Sequence, residues 1–153
     1  MKNVFKQIKS WATRGNSKEK GVIKKFLSET LGMASGSNWK ELAPDIQRQR
    51  LVVEGTLTDP FESQEMYFYA SKLTKLLKMK AITTPILNYS PDYGWCAFCH
   101  WKESGMHIYG WDNHNPVFFS VDIYTCKTFE AGDVVKFTRE FFGDRLLDIV
   151  WKE

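Results

Sequence analysis

Between Gly94 and Cys126 the chain reads "GWCAFCHW", "MHIYGW" and "VFFSVDIYTC", three strand-like runs separated by short breaks, and this limits the fold more than any other feature. Breaks that short join antiparallel strands, because a parallel crossover needs a dozen residues or more. Upstream, "LVVEGTL" from Leu51 to Leu57 is β-branched and apolar and predicts a strand. "AITTPILNYS" predicts another, with Pro85 favouring an edge or a bulge. Between these two, Met66, Tyr67, Tyr69, Ala70, Leu73, Leu76 and Leu77 recur at helical spacing within "FESQEMYFYASKLTKLLKMK". A second helix is expected in "TFEAGDVVKFTREFFGD", with Val134, Val135, Phe137, Phe141 and Phe142 on its apolar side, and "RLLDIVW" closes the chain as a strand. The order β-α-β-β-β-β-α-β defines an α+β fold, a two-layer sandwich of a mostly antiparallel sheet with helices on one face. The opposite sheet face then needs another layer, a subunit partner or the N-terminal helices. A homodimer is expected on that ground.

At 153 residues the chain has the length of one ordinary domain, able to bury roughly 70% of the surface its unfolded form exposes. Its 43% hydrophobic content suits a packed globule, and no apolar run is long enough to span a bilayer. The cysteines number three, an odd count without a secretory signal, which points to free thiols and the cytoplasm. Residues 1–49 read as a separate extension and linker, and residues 50–153 as the domain. From Met1 to Lys25 the side chains of Lys2, Lys6, Lys9, Arg14, Lys18, Lys20, Lys24 and Lys25 face only one acid, Glu19. Apolar residues at helical spacing (Val4, Phe5, Ile8, Trp11, then Val22, Ile23, Phe26, Leu27) make this arm two short amphipathic helices. Their apolar stripes are expected to pack on the domain or a neighbouring subunit; an anionic partner, nucleic acid or membrane, is the alternative for the lysines. "GMASGSNWKELAPD", Gly32 to Asp45, reads as the connector.

"WCAFCHWKESGMHIYGW" holds most of the reactive side chains. Cys96, Cys99 and His100 match a haem-attachment pattern, and with His107 they match a set of zinc ligands. In an extended strand, however, Cys96 and Cys99 point to opposite faces, so no metal is expected there and Cys99 reads as a small buried hydrophobe.

Glu103-Ser104 lies at the end of that strand, and Asp122-Ile123-Tyr124-Thr125-Cys126 follows on a later one. In this pairing the chain resembles the short prokaryotic class of S-adenosylmethionine decarboxylases, whose pattern is Gly-x-Ser, then Glu-Ser, Ile-His and Trp-Pro-Glu, then an Asp-x-aromatic-Thr-Cys strand. The resemblance runs from about Arg50 to the C-terminus and includes "RLVVEGTLTDP". It implies self-cleavage between Glu103 and Ser104, with Ser104 becoming a pyruvoyl group. That group would condense with the substrate amine and act as an electron sink during loss of carbon dioxide, in the service of polyamine biosynthesis. Cys126 takes the position of the family's proton donor.

Departures accompany these matches. Cys96 stands where the family has the serine that assists processing, and Tyr109 where it has the histidine that drives elimination. A phenol, ordinarily titrating near pH ~10, is a poor base at neutrality. His107, two residues earlier and on the same strand face, is a shifted candidate. Trp111-Asp112-Asn113 replaces Trp-Pro-Glu, so Asp112 supplies a carboxylate of different reach toward the ribose, and Tyr89, Tyr93 and Trp95 are candidate platforms for an adenine. Two other readings stay open: a pyruvoyl-dependent ornithine or arginine decarboxylase, and an uncleaved, non-catalytic homologue that serves as a binding or partner subunit.

Overall fold

A computed structural model describes residues 42–153, so the expected basic helices and most of the connector lie outside the described residues. Residues 45–153 form one compact unit. Strict alternation organises its first strand, β1 (Gln49–Leu57): Leu51, Val53 and Leu57 are buried, while Arg50, Val52, Glu54 and Thr56 turn the other way. Helix α1 (Ser63–Leu76) follows, opened by a capping box in which the Glu62 and Glu65 side chains each accept a backbone N–H of the other residue. Strands β2 (Ile86–Ser90), β3 (Gly94–Trp101), β4 (Ser104–Trp111) and β5 (Val117–Thr125) come next. Helix α2 (Ala131–Phe142) then leads through a single 3-10 turn into β6 (Leu146–Lys152). Gly143, at φ 55, ends α2 in a conformation that a side chain would resist.

All six strands form one sheet in the order β2-β3-β4-β5-β1-β6, and every pairing is antiparallel. Both helices bury their apolar sides on the same face. Met66, Tyr69, Ala70 and Leu73 of α1 and Val134, Val135 and Phe142 of α2 share a core with Leu51, Val53, Ala97, Cys99, Trp101, Met106, Ile108, Phe119, Val121 and Ile123. The protein is therefore a two-layer α+β sandwich. Phe61 sits at the junction, edge-on to Phe119 at 6.2 Å and to Phe142 at 4.8 Å between ring centroids. Such pairs add ~1 kcal/mol each beyond the area they bury.

The hydroxyls and the indole buried between sheet and helices are satisfied. Tyr69 Oη and Thr138 Oγ1 lie 2.7 Å apart and link the two helices. The Thr74 hydroxyl donates to the Ala70 carbonyl at 2.7 Å and accepts the Trp101 indole N–H at 2.9 Å. Arg145, just before β6, donates to Asp59, to Glu65 and to the Pro60 carbonyl, and so ties the last strand to the first turn of α1.

Two local expectations change. The strand anticipated over residues 81–90 begins only at Ile86; before Pro85 the chain makes a single bridge, Ala81 to Trp101, because the proline has no N–H to extend a ladder. Helix α1 stops at Leu76 rather than running to Lys80, and Lys78 adopts a positive φ of 51 that turns the chain away. Among the described residues no helix is long and apolar enough to cross a membrane.

Candidate active site

The β3–β4 hairpin turns at Lys102 and Glu103, with Trp101 paired to Ser104 across it. On its other side Ser104 pairs with Thr125 of β5, which places the start of β4 beside the end of β5. The Cys126 N–H, one residue beyond β5, donates to the Glu103 carbonyl at 2.9 Å. That carbonyl belongs to the peptide joining Glu103 to Ser104. Ser104 itself has a φ of 117, a conformation that L-residues rarely hold and one that stores roughly 1–3 kcal/mol of strain. Gly105 follows from necessity, since a Cβ there would lie 2.7 Å from the Cys99 carbonyl oxygen.

Beside Ser104, on the sheet face that carries neither α1 nor α2, is a depression of about 510 Å³ lined by Arg50, Phe98, His100, Ser104, Gly105, His107, Asp122 and Tyr124. Register explains how they meet. Phe98, His107 and Asp122 are direct partners across β3, β4 and β5, and Arg50 pairs with Tyr124 across β1 and β5. Arg50 holds both Asp122 carboxylate oxygens, through Nε at 3.0 Å and Nη2 at 2.6 Å. That two-pronged contact raises the Arg50 pKa further and fixes the guanidinium over the sheet. The His107 ring stacks on Phe98 with centroids 4.7 Å apart.

The Glu103 carboxylate turns toward the segment after α1, where it accepts the Lys80 N–H at 2.9 Å. This bond, aided by the charges of Lys127 and Lys80, lowers the Glu103 pKa.

The structure thus brings together Ser104, Glu103, the Cys126 backbone and His107, and leaves the other expected residues elsewhere. Cys96 and Tyr109 face each other across β3 and β4, five positions from the Trp101–Ser104 pair, or roughly 17 Å along the strands. Asp112 lies beyond the far end of β4, roughly 27 Å from Ser104 by the same rise. Its Oδ1 is buried without a hydrogen-bond partner, and burial raises its pKa. Trp95 pairs with Tyr89 at 5.2 Å, and Tyr93 lies 6.4 Å from Trp111, all at that far end. The Tyr93 hydroxyl is 4.0 Å from the Cys96 sulfur. Cys99 faces the helices, its sulfur 3.6 Å from Thr74 Oγ1, and Cys96 faces away from them.

Arg50, Phe98, His100, Asp122 and Tyr124 were not anticipated at the site. The signal was available in the alternation: even positions in β1, β3 and β5 share a face with odd positions in β4. Fixing which of them adjoin Ser104 requires the register, which alternation does not supply.

A six-stranded antiparallel sheet with two helices on one face, carrying a Glu-Ser bond in a strained hairpin turn, defines the class: a two-layer α+β sandwich. The family model for S-adenosylmethionine decarboxylase matches residues 57–150, which is more than half of the chain. The chain belongs to the S-adenosylmethionine decarboxylase family. No individual curated protein matches it.

Proposed function

We propose that this chain is the precursor of a cytoplasmic pyruvoyl-dependent S-adenosylmethionine decarboxylase that cuts itself between Glu103 and Ser104. The observation that carries the reading is the convergence on one peptide bond of a strained serine and a hydrogen-bond donor on the carbonyl it would attack. Ser104 Oγ adds to the Glu103 carbonyl carbon, and the Cys126 N–H stabilises the negative charge that develops on its oxygen. The C–N bond then breaks as the hydroxyl proton passes to the nitrogen, leaving an ester between Glu103 and Ser104. Loss of the Ser104 Cα proton expels Glu103 as a carboxylate. Addition of water and departure of ammonia leave a ketone at the new terminus. His107 and His100 both line the same depression as Ser104, and His107 is the imidazole proposed to take the proton on Cα.

A ketone made from Ser104 fits its surroundings, because the depression of about 510 Å³ lies against this residue and is lined by polar and aromatic side chains. When formed, the pyruvoyl group supplies a carbonyl that draws electrons from the substrate Cα as carbon dioxide departs. The Cys126 thiol, free and exposed one residue beyond β5, is the group assigned to return a proton. Arg50, paired with Asp122, gives the depression a polar rim, while Phe98 and His107 offer a flat surface.

A homodimer formed through the helix-free face would give that face its second layer. Tyr124, 45% exposed, and Val150, 56% exposed, lie on it and would be covered by the partner.

Intact mass of the purified full chain tests the reading. The expected result is two fragments divided between Glu103 and Ser104, the second beginning with a carbonyl that borohydride reduces. A chain that stays whole through long incubation refutes self-cleavage and favours a non-catalytic subunit. Assays on S-adenosylmethionine, ornithine and arginine then identify the substrate.

A further inference from the structure

Glu103 is held from two directions by parts of the chain distant in sequence. Its side-chain Oε2 accepts the Lys80 N–H at 2.9 Å, and its backbone carbonyl accepts the Cys126 N–H at 2.9 Å. Between these contacts lies the peptide that joins it to Ser104. The segment after α1 is itself fastened to the hairpin: the Lys80 carbonyl accepts the Lys102 N–H at 2.8 Å, and the Ile82 N–H donates to the His100 carbonyl at 2.9 Å. Lys127 Nζ reaches back to the Lys78 carbonyl at 2.7 Å, closing a ring of contacts around the turn. A glutamate at a hairpin tip ordinarily points into water. This one is instead tied to a rigid backbone donor, and the residue that follows it holds a φ of 117.

We propose that the Glu103 carboxylate is a positioning residue for the chain's own cleavage: by gripping the Lys80 N–H it locks the hairpin tip, so that the Glu103 carbonyl stays against the Cys126 N–H and Ser104 stays strained. The inference rests on the self-cleavage proposed above and assigns the side chain a task separate from that of the carbonyl. It has a further consequence. Once elimination has broken the bond between the ester oxygen and the Ser104 Cβ, Glu103 is a chain end bearing two carboxylates. The Lys80 and Cys126 N–H groups, with the charges of Lys80 and Lys127, then hold that end where it was made.

The test uses the full chain with Glu103→Ala and Glu103→Gln, each made both in the native background and with Ser104→Ala, which cannot cut. In the native background, appearance of the fragment beginning at residue 104 is followed by intact mass. Glu103→Ala is expected to slow it at least about tenfold, the scale of one lost hydrogen bond to a charged group, and Glu103→Gln, which keeps an oxygen for the Lys80 N–H, to restore most of the rate. In the Ser104→Ala background, hydrogen exchange at the Cys126 and Lys80 amides is expected to quicken about tenfold with Glu103→Ala, while the unfolding midpoint hardly moves. A native chain that cuts itself while Glu103→Ala cuts equally fast, or a Cys126 amide whose exchange is unchanged, overturns the positioning role alone. A native chain that never cuts overturns the self-cleavage reading and this role with it.

Discussion

The strain at Ser104 is measurable without any catalysis. Replacing Ser104 by alanine removes the hydroxyl but leaves a Cβ at a φ of 117; replacing it by glycine removes both, and the same backbone becomes an ordinary conformation. Relief of the strain favours the glycine variant by roughly 1–3 kcal/mol. Glycine also gives the unfolded chain more freedom, which returns about 0.4–1 kcal/mol. The net expectation is that Ser104→Gly is more stable than Ser104→Ala by ~1 kcal/mol, or ~4 °C in the unfolding midpoint for a domain of this size. Neither variant can cut, so urea unfolding followed by circular dichroism and tryptophan fluorescence compares two whole chains, and equal slopes against urea exclude a changed unfolded state. The difference bears on function because φ of residue 104 is rotation about its N–Cα bond, and self-cleavage removes that nitrogen. About 1.4 kcal/mol of strain released by the transition state is tenfold in rate. Ser104→Ala matching or exceeding Ser104→Gly in stability would refute the argument and leave the cleavage proposal without its strained bond.

Other perturbations follow from the same geometry. Thr74→Val deprives the fully buried Trp101 indole of its acceptor and is expected to cost ~2 kcal/mol in urea unfolding, whereas Thr74→Ser, which keeps the hydroxyl, costs less than half of that. Gly105→Ala drives a Cβ to 2.7 Å from the Cys99 carbonyl oxygen; parting the β3–β4 ladder is expected to cost roughly 1–3 kcal/mol and to slow appearance of the residue-104 fragment. Asp112 has a carboxyl whose pKa burial raises, so the folded chain binds that proton more readily than the unfolded one. Stability is therefore lost as pH rises from the ordinary carboxyl range through the raised value. Asp112→Asn, which has no such proton, is expected to gain in midpoint relative to the native chain between about pH 3 and pH 7, and a gap constant across that range would show that burial is not acting on this group.

Alternation and helical spacing are local properties, and whatever depends on them alone was legible in the sequence. The order of six strands and two helices, the buried sides of β1 and α2, and the opposed directions of Cys96 and Cys99 all follow from periods of two and 3.6 residues. Where local chemistry competes with a pattern, reading was less secure: Pro85 cut the strand anticipated from Ala81, and the positive φ of Lys78 ended α1 early. The site depended on more. Glu103 and Ser104 stood out as a pair, but nothing in their neighbours says that Lys80 grips the glutamate side chain or that the Cys126 N–H rests on its carbonyl. Arg50 and Asp122 are 72 positions apart, and their two-pronged contact exists only because β1 and β5 pair in one register. Strand rise, not proximity along the chain, also set Cys96 and Tyr109 roughly 17 Å from Ser104. The sequence by itself determined which side chains face together on each strand; only the tertiary structure decided which strands lie side by side and at what offset, because register is set by closing the whole sheet over one core.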